Sequence, residues 1–126
     1  MVAVASAHLK LALAWITYTN SLNTDKLGSI ITDNFVSTLR PASLGYPPAV
    51  GKQEYLQRLG TAPIKTFNIS LPATEDIVET KDVLQFYTTA DGQTLNGFPW
   101  KNEYIFTFTF AKDKILSVTE FTDPTV

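Results

Sequence analysis

Residues 102–123, NEYIFTFTFAKDKILSVTEFTD, alternate with period two on both sides of Lys112 and Asp113, the pattern of a β-hairpin closed by a two-residue turn. Two acids, Glu103 and Glu120, lie inside the apolar run rather than at its ends. If Ala111 pairs with Lys114 and Phe110 with Ile115, one face carries Glu103, Ile105, Thr107 and Thr109 beside Leu116, Val118, Glu120 and Thr122. The other carries Tyr104, Phe106, Phe108 and Phe110 beside Ile115, Ser117, Thr119 and Phe121. Neither face is polar throughout, so both are expected to be covered, one by helices and the other by a second subunit. The aromatic row Tyr104, Phe106 and Phe108 has the composition that interfaces favour, and it points to a homodimer. The turn lacks glycine, however, and a bulge would slip the pairing by one and bring Glu120 onto the face of Tyr104 and Phe106. Glu120 is therefore either a hydrated carboxylate at a strand end or an acid in an apolar cavity, its pKa raised toward neutrality by desolvation.

Upstream of the hairpin the periodicity changes. Leu11, Trp15, Tyr18 and Leu22 fall at steps of four, three and four, the spacing of an amphipathic helix. A second short helix is expected from Asp25 to Ile31 with Thr24 as its N-cap, followed by a strand over NFVSTL, 34–39, closed by Pro41. The segment PASLGYPPAVG, 41–51, holds three prolines and two glycines and is expected to be a loop or lid. KQEYLQRL, 52–59, has the pattern of a third helix, ended by Gly60 and Pro63. From Lys65 onward period two predicts strands at about 65–78, with Pro72 marking an edge or bulge, and at 83–90, 99–111 and 114–122. Helices first and antiparallel strands afterwards predict one α+β domain over residues 1–126, its helices gathered on one face of a curled sheet.

Composition narrows the function. The net charge of −2 offers no basic face, which argues against nucleic acid as a partner. Cysteine is absent and His8 is the single histidine, so thiol catalysis and His-rich metal sites cannot be assembled, no metal is expected, and His8, in the first turns of the first helix, is expected at the surface or rim rather than as a catalytic base. Carboxylates and phenols remain. MVAVASAHLKLALAW, 1–15, has no basic leader region and is interrupted by His8 and Lys10, so it is expected to form a mature helix rather than a signal or membrane segment. These features predict a cytoplasmic protein with no membrane partner.

The stretches AWITYTNSLNTDKLGSIITDNFVSTLRP, PASLGYPPAVGKQEYLQRL and NEYIFTFTFAKDKILSVTEFTD together resemble the NTF2-like superfamily, and in particular its SnoaL-like, polyketide cyclase branch as it occurs in fungi. The resemblance implies a cone: three N-terminal helices closing over a strongly curved antiparallel or mixed sheet, a pocket inside, and dimers through the outer sheet face. It also implies a small hydrophobic molecule as ligand and no cofactor. Functions in this superfamily range from ketosteroid isomerase, scytalone dehydratase and limonene epoxide hydrolase to polyketide and meroterpenoid cyclases, beside members that only bind or dimerise. Tyr18, five residues before Asn23, matches the first-helix tyrosine of the isomerase, whereas Arg40 stands before Pro41 where that enzyme has its aspartate base. Glu103 is a loose substitute for its second oxyanion-hole acid.

The expected chemistry is cofactor-independent isomerisation, cyclisation or dehydration of a polyketide-like or terpenoid-like substrate, with a non-catalytic ligand-binding or dimerisation module as the alternative. Glu120 would move a proton, with Glu103 as the second acid, while Tyr18 or Tyr104 would hydrogen-bond a developing enolate oxygen. Trp15, Phe35, Tyr55, Tyr87 and Trp100 are expected as pocket walls, Tyr46 as a lid residue, and Arg40 as a rim cation.

Overall fold

A computed structural model describes residues 5–125. The expectation for Met1–Val4, as the start of the first helix, lies outside the described residues. Helix α1 spans Ala7–Asn20, α2 Thr24–Ile30 and α3 Lys52–Thr61. The strands are β1 Ile31–Arg40, β2 Ala49–Val50, β3 Ile64–Ile69, β4 Ile77–Glu79, β5 Val83–Thr94, β6 Pro99–Ala111 and β7 Lys114–Thr122. Among the described residues no helix is long and apolar enough to cross a membrane.

The helix starts follow local chemistry. Ser6 caps α1 by accepting from the Leu9 amide, and Asn23, rather than Thr24, caps α2 by accepting from the Lys26 amide. Helix α3 passes through Gly60 and ends only before Pro63, because glycine lowers helix propensity without breaking the backbone bonding that proline forbids. The expected strand over 65–78 is divided: β3 stops at Ile69, before Pro72, and β4 resumes at Ile77.

The strands form a curved mixed sheet in the order β2-β1-β7-β6-β5-β3, with β4 also pairing β5. Strand β1 runs parallel to β7 and the remaining pairs are antiparallel. At the free edge of β3, Asn20 stands in for a neighbouring strand: its amide group accepts from the Ile69 N–H at 2.7 Å and donates to the Ile69 carbonyl at 3.0 Å. That bidentate contact fixes the end of α1 to the sheet.

The β6–β7 ladder decides what faces inward. Ala111 pairs with Lys114 and Phe110 with Ile115, as the two-residue turn requires, and Lys112 takes a left-handed φ of 56° there. The ladder then slips by one, so Thr109 faces Ser117, Phe108 faces Val118, Phe106 faces Glu120 and Tyr104 faces Thr122. The extra residue is Leu116, one step inside β7, and not a residue of the turn. Tyr104, Phe106 and Phe108 are consequently buried beneath the helices. This corrects the expectation that they form an outer, subunit-facing row: the Trp15 ring meets Phe106 at 5.3 Å and Phe108 at 5.4 Å, both edge-on, and Phe86 closes the cluster. The outer face instead carries Tyr87, Ile105 and Phe121, aligned in register across β5, β6 and β7 and between 41% and 51% exposed.

Candidate functional site

The packed aromatic cluster fills only part of the cone. Next to it, between α1, α3, the 41–50 loop and the inner face of β1, β7 and β6, lies a cavity of about 480 Å³. Trp15, Leu22, Leu39, Tyr55, Leu59, Ile64, Phe67 and Tyr104 supply most of an apolar lining, with Ser37, Thr122, Arg58 and Glu120 as polar residues and Thr19 lining it with its hydroxyl buried. A larger hollow of about 640 Å³, around Thr66, Asn68, Asp91, Trp100 and Lys101, is an open groove of the sheet, lined mainly by exposed residues.

Glu120 owes its position to the bulge. In register it is flanked by Leu39 of β1 on one side and Phe106 of β6 on the other, two apolar neighbours that give its carboxyl nothing to bond. Its residual surface is turned into the cavity. No hydrogen bond or ion pair to the carboxyl is formed among the described residues, and desolvation alone raises its pKa from 4.5 to about 7. Two phenols stand near enough to sense that charge. Burial pushes Tyr55 well above the ordinary phenol range, with the Glu120 charge as the next cause. Tyr104 is raised by burial first and by the Glu120 charge second.

Tyr55 is held from two sides: its ring packs on Phe35 at 4.7 Å, and its hydroxyl oxygen accepts from Trp15 Nε1–H at 3.2 Å. The cavity mouth is shaped by the proline-rich loop. Arg58 of α3 donates to the Pro47 carbonyl at 2.7 Å and pairs with Glu54 at 2.7 Å, while Glu54 accepts from the Val50 amide at 2.9 Å. This clamp sets Tyr46, 66% exposed, at the edge of the cavity.

Glu120, Tyr104, Trp15, Tyr55 and Tyr46 therefore meet at one cavity, and the other anticipated site residues do not line it. Glu103 lies on the exposed outer face, where it accepts a 2.7 Å hydrogen bond from Tyr87; the slip that turns Glu120 inward leaves Glu103 and Tyr87 outside. Tyr18 is half-buried beneath the Lys26 ammonium, 5.7 Å from its ring. Phe35 is wholly buried behind Tyr55, and Arg40 is exposed at the end of β1. Trp100 packs on Phe67 at 5.7 Å and covers Gly92, where a Cβ would come within 2.5 Å of the indole. Arg58, Thr19 and Thr122 were not anticipated. Arg58 and Thr19 fall at ordinary helical positions, and Thr122 sits at a strand end, so the chain offers no local signal for them.

Among the described residues no group of three or more His, Cys, Asp or Glu side chains is arranged to hold a metal ion. Comparisons by sequence with family models and with curated proteins find no match. Comparison of structures does. A putative SnoaL-like polyketide cyclase from Jannaschia sp. CCS1 is 12% identical, with 97% of this chain and 92% of that one covered at a TM-score of 0.78. The BvnE pinacolase from Penicillium brevicompactum is 24% identical, with 95% and 90% covered at 0.76. An NTF2-like protein from Anabaena variabilis is 21% identical, with 98% and 94% covered at 0.74. Three helices closed over a curved mixed sheet, matched along nearly the whole length of these proteins, give the chain the NTF2-like, SnoaL-like fold.

Proposed function

We propose that the chain binds a largely apolar small molecule in the cone and acts on it by carboxylate acid–base chemistry, as a cofactor-independent isomerase, cyclase or dehydratase of a polyketide-like or terpenoid-like substrate. The observation that carries this reading is Glu120: an acid without partners, at an apolar cavity, half-protonated near pH 7. In that state it can take a proton from carbon beside a carbonyl and return it elsewhere, while the Tyr104 hydroxyl hydrogen-bonds the enolate oxygen. Two structural neighbours bear the names SnoaL-like polyketide cyclase and pinacolase, which supports a reading as a small-molecule enzyme. The solitary acid also favours a second reading, a ligand carrier, since no other carboxylate among the described residues lines the cavity to share the proton transfer.

Deuterium uptake at C2 of 1-tetralone in heavy water separates the two. Wild-type protein is expected to accelerate exchange and Glu120→Gln to lose most of that acceleration. Binding without exchange would leave the carrier reading, and exchange undiminished in Glu120→Gln would remove Glu120 from the chemistry.

We also infer a homodimer through the outer sheet face, supported by the aligned row Tyr87, Ile105 and Phe121. Ile105→Arg is expected to convert dimer to monomer in light scattering while the far-ultraviolet circular dichroism is kept. A wild-type monomer at high micromolar concentration would contradict it.

A further inference from the structure

We infer that the molecule this cavity selects carries a basic nitrogen on its apolar skeleton, and that this nitrogen, protonated, is the counter-ion Glu120 lacks. The inference deepens the proposed reading of the cavity as a small-molecule site and rests on it. Charge at the cavity is one-sided. Glu120 is the only carboxylate among the described residues lining it, and no cation of the described residues pairs with that carboxyl. The one cation of the lining, Arg58, is already engaged by Glu54 at 2.7 Å and by the Pro47 carbonyl at 2.7 Å. Lys26 lies over the Tyr18 ring and Lys52 pairs with Asp33, and neither lines the cavity.

An acid so placed is satisfied either by keeping its proton or by receiving a cation from outside. Burial opposes the ionised form of Glu120 only while its charge is unpaired, and a cation within hydrogen-bond reach favours that form instead. Neutral ligands offer less. An alcohol or ketone makes an ordinary hydrogen bond with the carboxyl, whereas the bond from an ammonium to a carboxylate is charge-assisted, shorter and roughly twice as strong. An anionic ligand meets like charge at Glu120, with no uncommitted cation in the lining to offset it.

The walls narrow the class further. Trp15, Tyr55, Phe67 and Tyr104 line the cavity, and aromatic rings both attract organic cations and exclude the water that screens an ion pair. The remaining lining is largely aliphatic, and the volume of about 480 Å³ lies in the range of small-ligand sites. A polyamine or an amino acid would bury further charges without partners. A hydrocarbon ring system bearing a single amine fits both the walls and the acid.

Three probes that share a naphthalene ring and differ in charge test this by NMR titration of the full chain at pH 8. They are 2-naphthylmethylamine, which is protonated there, 2-naphthylmethanol and 2-naphthoate. The amine is expected to bind at least tenfold more tightly than the alcohol, and the naphthoate at least tenfold more weakly than the alcohol. Glu120→Gln is expected to bring the amine within about threefold of the alcohol without weakening the alcohol itself. Glu103→Gln, which removes a carboxylate from the outer sheet face, is expected to leave the amine-to-alcohol ratio unaltered. An amine no tighter than the alcohol, a preference that survives Glu120→Gln or is lost in Glu103→Gln, or a naphthoate held as well as the alcohol overturns the counter-ion inference and leaves the cavity reading intact. Failure of amine and alcohol alike to bind overturns both.

Discussion

Replacing Glu120 by glutamine is expected to stabilise the folded protein by about 3 kcal/mol at pH 8 and to leave its stability unchanged at pH 4. The sign follows from which state holds the proton. In the unfolded chain the Glu120 carboxyl titrates at its ordinary value of 4.5, and in the fold at about 7. Below pH 4.5 both states are protonated and the burial of a neutral acid costs little. Between 4.5 and 7 the unfolded chain has released the proton that the folded chain keeps, so wild-type stability falls as pH rises. Above 7 both states are ionised and the loss reaches its plateau, about 1.4 kcal/mol for each pH unit of the shift. Glutamine has the shape of the neutral acid and no proton to lose. The difference between wild type and variant, from urea unfolding across pH 4 to 9, isolates Glu120 from other acids such as Glu54 and Asp123, whose lowered pKa values act with the opposite sign. A difference that does not vary with pH, or a variant less stable at pH 8, would mean that the carboxylate is solvated or paired. A measured cost of that size would mark an acid kept for something other than folding.

The architecture was legible because periodicity reports which side of an element is buried. Leu11, Trp15 and Leu22 mark α1, and the alternation from 99 to 122 marks the two longest-matched strands to the residue. The site was less legible, and the reason is one residue. Without the bulge at Leu116, Glu120 would stand opposite Ile105 on the outer face; with it, Glu120 stands opposite Phe106 in the cavity. A strand's alternation fixes only relative phase, and the cost of a bulge depends on packing contributed by Trp15 and Phe86, far away in sequence. The same slip explains why Glu103 and Tyr87, plausible partners for Glu120 by residue type, bond to each other on the opposite side of the sheet. Arg58 escaped notice for a different reason: its function at the mouth comes from carbonyls of the 47–48 loop, and backbone acceptors leave no trace in side-chain patterns.

Phe106→Ala is expected to be the most damaging single truncation, costing about 3–5 kcal/mol of unfolding free energy. Phe106 has no exposed surface, and its ring touches four others: it stacks on Tyr104 at 5.2 Å, meets Trp15 and Phe86 edge-on at 5.3 and 5.9 Å, and lies 6.4 Å from Phe108. Those neighbours come from α1, β5 and β6, so no one element can move to close the gap, and the cavity term is added to the lost transfer energy. The truncation has a second consequence. Phe106 is the cross-strand neighbour of Glu120, and the space it leaves lies beside the cavity that Glu120 lines. Water entering there would solvate the carboxylate and lower its pKa toward 4.5. Phe106→Ala is therefore expected both to lower the melting temperature by 10 °C or more and to shrink the pH-dependent difference on adding Glu120→Gln to less than half its wild-type size. A double-mutant cycle at pH 5 and pH 8 measures both effects. A stability loss below about 1 kcal/mol would contradict the packed aromatic cluster, and an undiminished pH dependence would show that Glu120 is kept dry by Leu39 and the helices rather than by Phe106.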